Sequence, residues 1–301
     1  MSQDSARGRW FAAPSGRGPL ILIATERVLP EADPDEDLLL EALLAADLEP
    51  HLAAWDDPGV DWSAARLVVI RSTWDYFHRR EAFVEWAGRV GEQADLWNPT
   101  PVVEWNSHKF YLSLLAAEEV PVVPTAHLFK GGKATLLDVL EKTGWRRLVI
   151  KPAVSASSHR TLLVTAANLP EGERHFETLL ADGDVLVQPY VTSVEDYGER
   201  AIIWIDGEFT HSVRKSPRFA EDEESVSDAL PIAGDELEVA RAALSQVKEP
   251  LLYARVDMAR DPAGYPMVME LELIEPSLYL LQSPAALERL VDGIKARLSP
   301  P

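Results

Sequence analysis

The first third of the chain alternates short apolar runs with segments of helical periodicity. LILIAT, at residues 20–25, and the later run RLVVIRS are each typical of a buried strand. Between them, DPDEDLLLEALLAADL begins with Asp33, which suits a helix N-cap, and Pro34, which suits the first helical position. REAFVEWAGRV is a second helix-like segment. This alternation predicts a parallel α/β sheet between residues 20 and 125.

The segment RSTWDY follows the second apolar run, at the carboxyl end of a predicted strand. Parallel α/β sheets bind their ligands beyond that end. Arg71, Ser72 and Asp75 are therefore candidates for binding a substrate. The alternative, which the sequence leaves equally open, is a loop that Trp74 and Tyr76 anchor.

The pattern changes in the second half of the chain. A helix is expected to begin near Ser107, and another within GKATLLDVLEKTG. Five strand-like stretches follow: RRLVIKP, TLLVTA, DVLVQPYV, RAIIWIDGEFTHSVRK and MVMELELI. Asp206 and Gly207 divide the fourth stretch into two alternating runs, which is the pattern of a tight hairpin. This half is therefore predicted to be antiparallel and rich in strands, and residues 1–19 to be a disordered extension.

Composition narrows the classes of function. The chain has 301 residues, 47% of them hydrophobic, which is enough for two or three domains. It has no cysteine, so disulfides, thiolate metal sites and a cysteine nucleophile are excluded. No apolar run reaches the ~20 residues that span a bilayer, and we expect a cytoplasmic protein without a membrane partner. The net charge of −20 argues against nucleic acid but leaves a single nucleotide open, because a local cationic pocket suffices for one.

Three carboxylates interrupt the apolar stretch PMVMELELIEP. Glu270 and Glu272 lie on one face of a strand, because side chains alternate, and like charges on one face destabilise a sheet. A hard divalent cation such as Mg²⁺ removes that conflict. Asp257, in ARVDMARD, would join them if a turn at DPAGYP brings the two strands together. The alternative is an edge strand whose acidic face lies in water.

Three further stretches contain basic or small residues, or free main-chain groups, that could bind phosphates or a flat ring such as adenine. In RRLVIKPAVSASSHR, Lys151 ends an apolar run, and a loop of small residues offers N–H and hydroxyl groups to phosphates; an ordinary hairpin is the alternative. VLVQPYV presents main-chain groups around Gln188 that could hold adenine, although a sheet-edge strand explains it as well. Arg214 and Lys215, together with Arg255 on the face of Asp257, suit phosphates lying between the two sets of charges; surface ion pairs are the alternative.

The order of Lys109, Lys151, the small-residue loop, the VLVQPYV segment, Asp257 and Glu270 resembles the ATP-grasp superfamily of carboxylate–amine ligases. The resemblance implies an α/β fold with α+β character in the C-terminal half, in which two α+β subdomains clasp ATP. It implies an N-terminal α/β domain at residues 20–125, a central subdomain at 126–191 and a C-terminal subdomain at 192–301.

The resemblance also implies roles for individual residues. Magnesium, for which Mn²⁺ can substitute, would be held by three acids: Asp257, Glu270 and Glu272. ATP would be contacted by two lysines, the phosphate loop, the adenine hinge and a ribose-binding acid: Lys109, Lys151, Ser157, Ser158, Gln188, Pro189, Tyr190, Val191 and Glu195, with Glu199 as the alternative acid. The transferred phosphoryl group would be neutralised by Arg214 or Lys215, and Arg255 would stabilise a tetrahedral intermediate. Arg71 and Glu275 would grip an amino-acid substrate.

Within this superfamily, VVIRSTWDY, WNSHKFYL and ELELIEPSLYL most resemble the cyclo-ligases of D-cycloserine biosynthesis. That resemblance implies that an acyl phosphate of an O-ureido-serine-like substrate closes to a ring. A ligase of two amino acids, a catalytically silent ATP-binding protein, and a monomer or a homodimer remain open. Two departures stand out: Glu272 replaces the usual asparagine of the metal shell, and the loop VSASSHR has no glycine.

Overall fold

The structure is a computed structural model, and it describes residues 16, 18–156, 158–216 and 225–298. Ser157 and nearly all of the extension expected at residues 1–19 lie outside the described residues. The strands and helices are labelled in chain order. The first part of the chain contains β1 (Leu20–Thr25), α1 (Pro34–Ala45), β2 (Glu49–Ala54), β3 (Leu67–Ile70), α2 (Arg80–Gln93), β4 (Asp95–Trp97), α3 (Thr100–Asn106) and α4 (Tyr111–Ala117).

The rest of the described chain contains the elements of two further layers. The middle part has β5 (Ala126–Leu128), α5 (Leu136–Thr143), β6 (Leu148–Pro152), β7 (Leu162–Val164), α6 (Leu169–Asp182) and β8 (Val185–Pro189). The last part has α7 (Ser193–Asp196), β9 (Glu199–Ile205), β10 (Glu208–Lys215), α8 (Gly234–Leu244), β11 (Tyr253–Arg260), β12 (Pro266–Glu272) and α9 (Pro284–Leu298).

The first sheet is parallel, in the order β2-β1-β3-β4. Its central strands β1 and β3 are apolar and almost entirely buried, as expected where helices cover both faces of a sheet. Helix α1 begins as the sequence predicts, because the Asp33 side chain accepts a hydrogen bond of 2.9 Å from the N–H of Asp35. The parallel α/β half of the predicted fold class is confirmed.

The other two sheets are antiparallel, as predicted for the second half of the chain. Strands β5-β8-β6-β7 form one, and β10-β9-β11-β12 form the other. The hairpin at Asp206-Gly207 joins β9 to β10, with both residues at positive φ. A register shift interrupts this hairpin between Phe209 and His211, and a second shift interrupts the β11–β12 pair next to Asp257.

A helix is expected to begin near Ser107, but the structure has two short helices on either side of that position. Helix α3 begins seven residues earlier, at Thr100, and ends at Asn106; α4 begins at Tyr111. Lys109 lies in the break, and its N–H donates to the carbonyl of Ala153 at 2.8 Å. This contact with the loop after β6 explains the break, because the N–H would otherwise bond within a continuous helix.

Hydrophobic packing joins the first and third sheets. The second sheet has a cluster of its own, and Leu186 of β8 also packs with Ile202 and Val256 of the third sheet. One cluster contains Leu39 and Leu67 together with Tyr253 and Leu290. The cluster of the second sheet, around Phe176, contains only residues between Leu136 and Val187 among its buried members. Within the described ranges, no helix is both long and apolar enough to cross a bilayer.

Candidate active site

The pairing of β11 with β12 places three acids and an arginine on one face of the third sheet. Asp257 lies opposite Glu270, and Arg255 lies opposite Glu272. The register shift next to Asp257 makes Met269 an extra residue in β12, a β-bulge. Without it, Asp257 would lie opposite Met269. The bulge therefore brings the carboxylates together.

Asp257 is buried and held by two cations. The guanidinium of Arg255 donates to both of its oxygens, at 2.9 Å each, and the ammonium of Lys215 lies 2.8 Å from Oδ2. Arg255 also contacts Glu272, and Lys215 contacts Glu199. Planar bidentate contacts of this kind fix the position of a carboxylate more firmly than a single hydrogen bond.

Lys109 connects the same cluster to the loop of the second sheet. Its ammonium lies 2.6 Å from Oε1 of Glu270 and donates to the carbonyl of Ser155 at 2.6 Å. The side chain is buried. Ser155, in the loop that the sequence assigns to phosphates, is thus tied through one lysine to Glu270 of β12.

Lys151 is half-buried at the end of β6 and lies within electrostatic reach of Glu270 and Lys109. In the described part of the chain its ammonium has no hydrogen bond or ion pair. Burial lowers the pKa of Lys151, and Glu270 offsets only part of that effect. An anionic ligand beside the ammonium would raise this pKa again.

The acids differ in charge state because their partners differ. Burial alone would raise the pKa of Asp257, but Arg255 and Lys215 hold it well below its usual range. Burial acts on Glu270 in the same direction, and Lys109 and Lys151 likewise outweigh it and lower its pKa. For Glu272 burial dominates and raises the pKa to about 8, although Arg255 opposes this.

The donor set suits magnesium by its chemistry, since Asp257, Glu270 and Glu272 supply carboxylate oxygens on one face of a sheet. Among the described residues, however, no three potential ligands are grouped so as to hold a metal ion. Lys109, Lys215 and Arg255 pair with these carboxylates and contact both oxygens of Asp257, Oε1 of Glu270 and Oε1 of Glu272. A metal ion held here would replace some of these contacts.

Arg214 and Lys215, which the sequence left as alternatives, lie on opposite faces of β10. Lys215 is buried in the cluster, whereas Arg214 is exposed and its stem lies against Gly198. Neighbouring residues of a strand point to opposite faces, so only one of the two can reach Asp257. Of the two residues, Lys215 is the one that lies in the cluster, and the neutralisation of a phosphoryl group by either stays a prediction.

The predicted adenine hinge begins within β8, whose last two residues are Gln188 and Pro189. Gln188 is buried, and its amide donates to the hydroxyl of Thr125 at 2.9 Å. Pro189 and Val191 are half-buried, and Tyr190 lies under the guanidinium of Arg147, 4.1 Å from the ring centroid.

Glu195, the acid preferred for the ribose, is exposed and pairs with Arg147 at 3.0 Å. The alternative acid, Glu199, is directed into the buried cluster instead, through Lys215. In the predicted phosphate loop, Ser158 is exposed and has a positive φ of 55°.

The candidates after β3 make mostly structural contacts. Ser72 is buried, and its hydroxyl donates to Asp33 at the start of α1. Asp75 accepts a hydrogen bond of 2.7 Å from the indole of Trp55. Arg71 is buried and donates to the carbonyl of Pro276 at 2.8 Å. These contacts favour the interpretation of RSTWDY as an anchored loop for Ser72 and Asp75, and they give Arg71 a role in placing the chain around Pro276.

Glu275 is half-buried and faces the cluster. Burial raises its pKa to about 7, Lys109 opposes the shift, and Glu270 adds to it. The indole of Trp74 donates to the carbonyl of Glu275 at 3.1 Å, which places this residue beside the loop after β3. A carboxyl group that titrates near neutrality can change its charge when an ammonium group binds.

Two further residues of the cluster were not identified as such from the sequence. Glu199 pairs with Lys215, and Tyr279, at φ 53°, lies with its ring 5.7 Å from the guanidinium of Arg255. Counting outward from the Asp206-Gly207 turn would have paired Glu199 with Arg214. The sequence gives no signal for Tyr279 either, because the loop after β12 has no periodicity.

Comparison with known proteins shows which family the chain belongs to. The family model of the D-cycloserine synthetase DcsG, N-terminal domain, matches residues 21–98. The cycloserine biosynthesis protein DcsG of Streptomyces lavendulae is 33% identical over 297 residues, which cover 93% of this chain and 99% of that protein. The crystal structure of D-cycloserine synthetase DcsG superimposes with a TM-score of 0.86 at 33% identity, covering 93% of this chain and 100% of the other.

More distant structures share the fold. A D-alanine–D-alanine ligase from Bacillus anthracis in complex with ATP gives a TM-score of 0.65 at 17% identity, over 93% of this chain and 97% of that one. The ATP-grasp ligase PsnB in complex with its minimal precursor, Mg and ADP gives 0.64 at 18% identity, with the same two coverages. The chain therefore belongs to the DcsG family of ATP-grasp proteins and is an ATP-dependent ligase.

Proposed function

We propose that the protein uses ATP and Mg²⁺ to activate the carboxylate of an O-ureido-serine-like amino acid as an acyl phosphate, and that a nitrogen of the same molecule then closes a cycloserine-type ring. The observation that carries the proposal is the convergence of Lys109, Lys215 and Arg255 on the carboxylates of β11 and β12. The 33% identity to a cycloserine biosynthesis protein, over nearly the whole chain, supports the choice of substrate class.

Each cation of the cluster has a task in this scheme. Asp257, Glu270 and Glu272 are the residues that would hold magnesium, which when bound neutralises charge on the β- and γ-phosphates. Lys109 and Lys151 bind phosphate oxygens; Lys109 must exchange its contacts with Glu270 and Ser155 to do so. Lys215, buried in the cluster, offsets the charge that develops on the transferred group.

The second step forms the carbon–nitrogen bond and releases phosphate. Arg255 is positioned by Asp257 and Glu272, and its remaining donor capacity suits the oxyanion of a tetrahedral intermediate. Glu275, with a pKa of about 7, would hold the α-ammonium group of the substrate. Because the attacking nitrogen belongs to the substrate itself, its effective concentration is high and no second amino acid is required.

The test is ADP release with single substrates and with pairs. We expect ADP to form with O-ureido-D-serine alone, together with the cyclised product by mass spectrometry, and to form far more slowly with ordinary amino acids. The L-isomer in parallel identifies the stereochemistry, and Mn²⁺ in place of Mg²⁺ tests the metal preference. ADP that forms only when two amino acids are present would contradict ring closure and favour a two-substrate ligase. Glu270→Gln, checked for folding, should abolish ADP release in either case.

A further inference from the structure

The outer edge of β12 is paired with side chains instead of a further strand. Among the residues that the structure describes, the backbone partners at this edge belong to Val268, whose N–H donates to the carbonyl of Pro121 and whose carbonyl accepts from the N–H of Val123. Further along, the N–H of Leu271 donates to the hydroxyl of Tyr111 at 3.0 Å.

Asn106 completes this edge. Its amide donates to the carbonyl of Leu271 at 2.8 Å and accepts from the N–H of Leu273 at 2.9 Å. An asparagine side chain that both donates and accepts reproduces the pairing of a neighbouring strand for one residue pair. Asn106, Leu271 and Leu273 are all buried, so these three groups would otherwise be unsatisfied polar groups in the core.

Asn106 and Tyr111 lie on either side of the break between α3 and α4, which contains Lys109. Asn106 is the last residue of α3, and Tyr111 is the first of α4. The segment between them supplies Lys109, whose ammonium contacts Glu270. One short segment therefore places a lysine on Glu270 and binds the backbone of the next residue in β12.

This arrangement matters because of the bulge at Met269. The backbone of Glu270 and Glu272 pairs with β11. The carbonyl of Leu271 and the N–H of Leu273 are directed to the outer edge, where Asn106 binds them. A bulge leaves one residue unpaired and bends its strand, so the bonds at the outer edge help to hold the backbone that follows Met269 in place. A shift of that segment by one residue would turn every side chain to the other face. Such a shift would remove both glutamates from the cluster.

We propose that Asn106 and Tyr111 are positioning residues: by binding the outer edge of β12 just past its bulge, they fix Glu270 and Glu272 where the nucleotide-bound metal is held. Neither residue touches the reacting atoms in this proposal. It rests on the proposed function, because it takes these carboxylates as the metal-binding groups.

The experiment measures metal binding directly on the full chain. Mn²⁺ is titrated in the presence of a non-hydrolysable ATP analogue and followed by electron paramagnetic resonance, for the wild type, Asn106→Ala and Tyr111→Phe. We expect the dissociation constant for Mn²⁺ to rise roughly tenfold in Asn106→Ala, as when the partner of a metal ligand is lost, and less in Tyr111→Phe. Tyr111→Phe keeps the ring, which packs on Trp105, so it tests the hydroxyl without loss of the core and decides the matter if Asn106→Ala does not fold.

A matched control separates positioning from general stability. Asn168 also uses its amide on backbone groups, the N–H of Thr165 at 2.8 Å and the carbonyl of Leu163 at 3.0 Å, but at the turn after β7. Asn168→Ala should lower the melting temperature and leave the Mn²⁺ affinity unchanged.

The results distinguish a failure of the positioning role from a failure of the proposed function. If Asn106→Ala and Tyr111→Phe melt earlier but bind Mn²⁺ as the wild type does, the positioning role is overturned while the proposed function stands. If the wild type itself binds neither Mn²⁺ nor the ATP analogue, both proposals fall together.

Discussion

Lys109 and Lys151 were assigned the same task by the sequence, yet their surroundings differ. Lys109 is buried against Glu270 and a loop carbonyl, and this pairing raises its pKa although burial opposes the shift. Lys151 makes no such contact with the described residues, and burial lowers its pKa. Lys109 therefore stabilises the folded state without a ligand. Lys151 is expected to act only when a ligand such as ATP is bound.

Lys151→Ala should separate binding from folding. We expect the free energy of unfolding without ligand to change by no more than about 0.5 kcal/mol, because no ion pair is lost. Affinity for an ATP analogue, measured by calorimetry, should fall by roughly tenfold or more, since a charge-assisted contact disappears. Lys109→Ala is the comparison: it leaves Glu270 without its ion pair and should cost about 3 kcal/mol before any ligand is added. Equal losses of stability in the two variants would contradict this division.

Glu275 makes stability depend on pH. Its pKa rises from 4.5 in the unfolded chain to about 7 in the fold, so the native state binds the extra proton. Its contribution to stability is full below pH 4.5 and is lost as the pH rises through 7. Glu275→Gln removes this loss and should raise the free energy of unfolding at pH 8 by on the order of 2 kcal/mol, with little change at pH 5. Denaturant titrations at the two pH values measure the difference, and a gain at pH 5 alone would reverse the assignment.

At the scale of elements, two β-bulges assemble the site. The extra residue at Thr210 in β10 places Lys215, and not Arg214, opposite Glu199. The extra residue at Met269 in β12 places Glu270 opposite Asp257. Each bulge turns the functional side chains beyond it to the face where the cluster forms, a use of bulges that is common beside active sites.

The hairpin β9–β10 offers a test on two neighbouring residues. Lys215→Ala should cost about 3–5 kcal/mol, because Asp257 and Glu199 lose a buried partner, and should abolish ADP release. Arg214→Ala, one position away on the exposed face, should change stability by no more than about 0.5 kcal/mol and retain ADP release. Thermal melts measure the loss of stability in both variants, and the ADP assay measures their activity. Loss of activity in Arg214→Ala with Lys215→Ala intact would show that the register differs from the one described.

At the scale of the molecule, the three sheets form two kinds of core. The first and third sheets share the cluster that contains Leu39, Tyr253 and Leu290, so they are expected to unfold together. The second sheet packs on its own helices around Phe176, and it meets the third sheet through a further cluster in which Leu186 of β8 lies with Val256 and Leu271.

Hydrogen exchange followed by mass spectrometry should resolve these units. Phe176→Ala, a change that costs about 3–5 kcal/mol, should accelerate exchange in β6 and β8 and leave β1 and β11 protected. Leu290→Ala should accelerate exchange in β1 and β11 together and spare β6. Uniform acceleration of all three sheets by Phe176→Ala would show one cooperative unit instead.

The sequence by itself determined the parallel and antiparallel halves, many of their strands and helices, and the residue types of the site; elements such as β2, β4 and α6 were not predicted from it. Apolar periodicity, caps and turn residues act over a few positions, so Asp33, the Asp206-Gly207 turn and the alternation around Glu270 could be interpreted without a partner segment. The family resemblance added the order of Lys109, Lys151, Asp257 and Glu270.

Only the tertiary structure decided how those residues meet. One extra residue at Thr210 or Met269 leaves the local pattern unchanged but shifts the register of every later pair, which selects Lys215 over Arg214 and sets Glu270 against Asp257. The break that holds Lys109 depends on a loop more than forty positions away in the chain. Register and distant contacts are properties of two segments together, and neither segment alone encodes them.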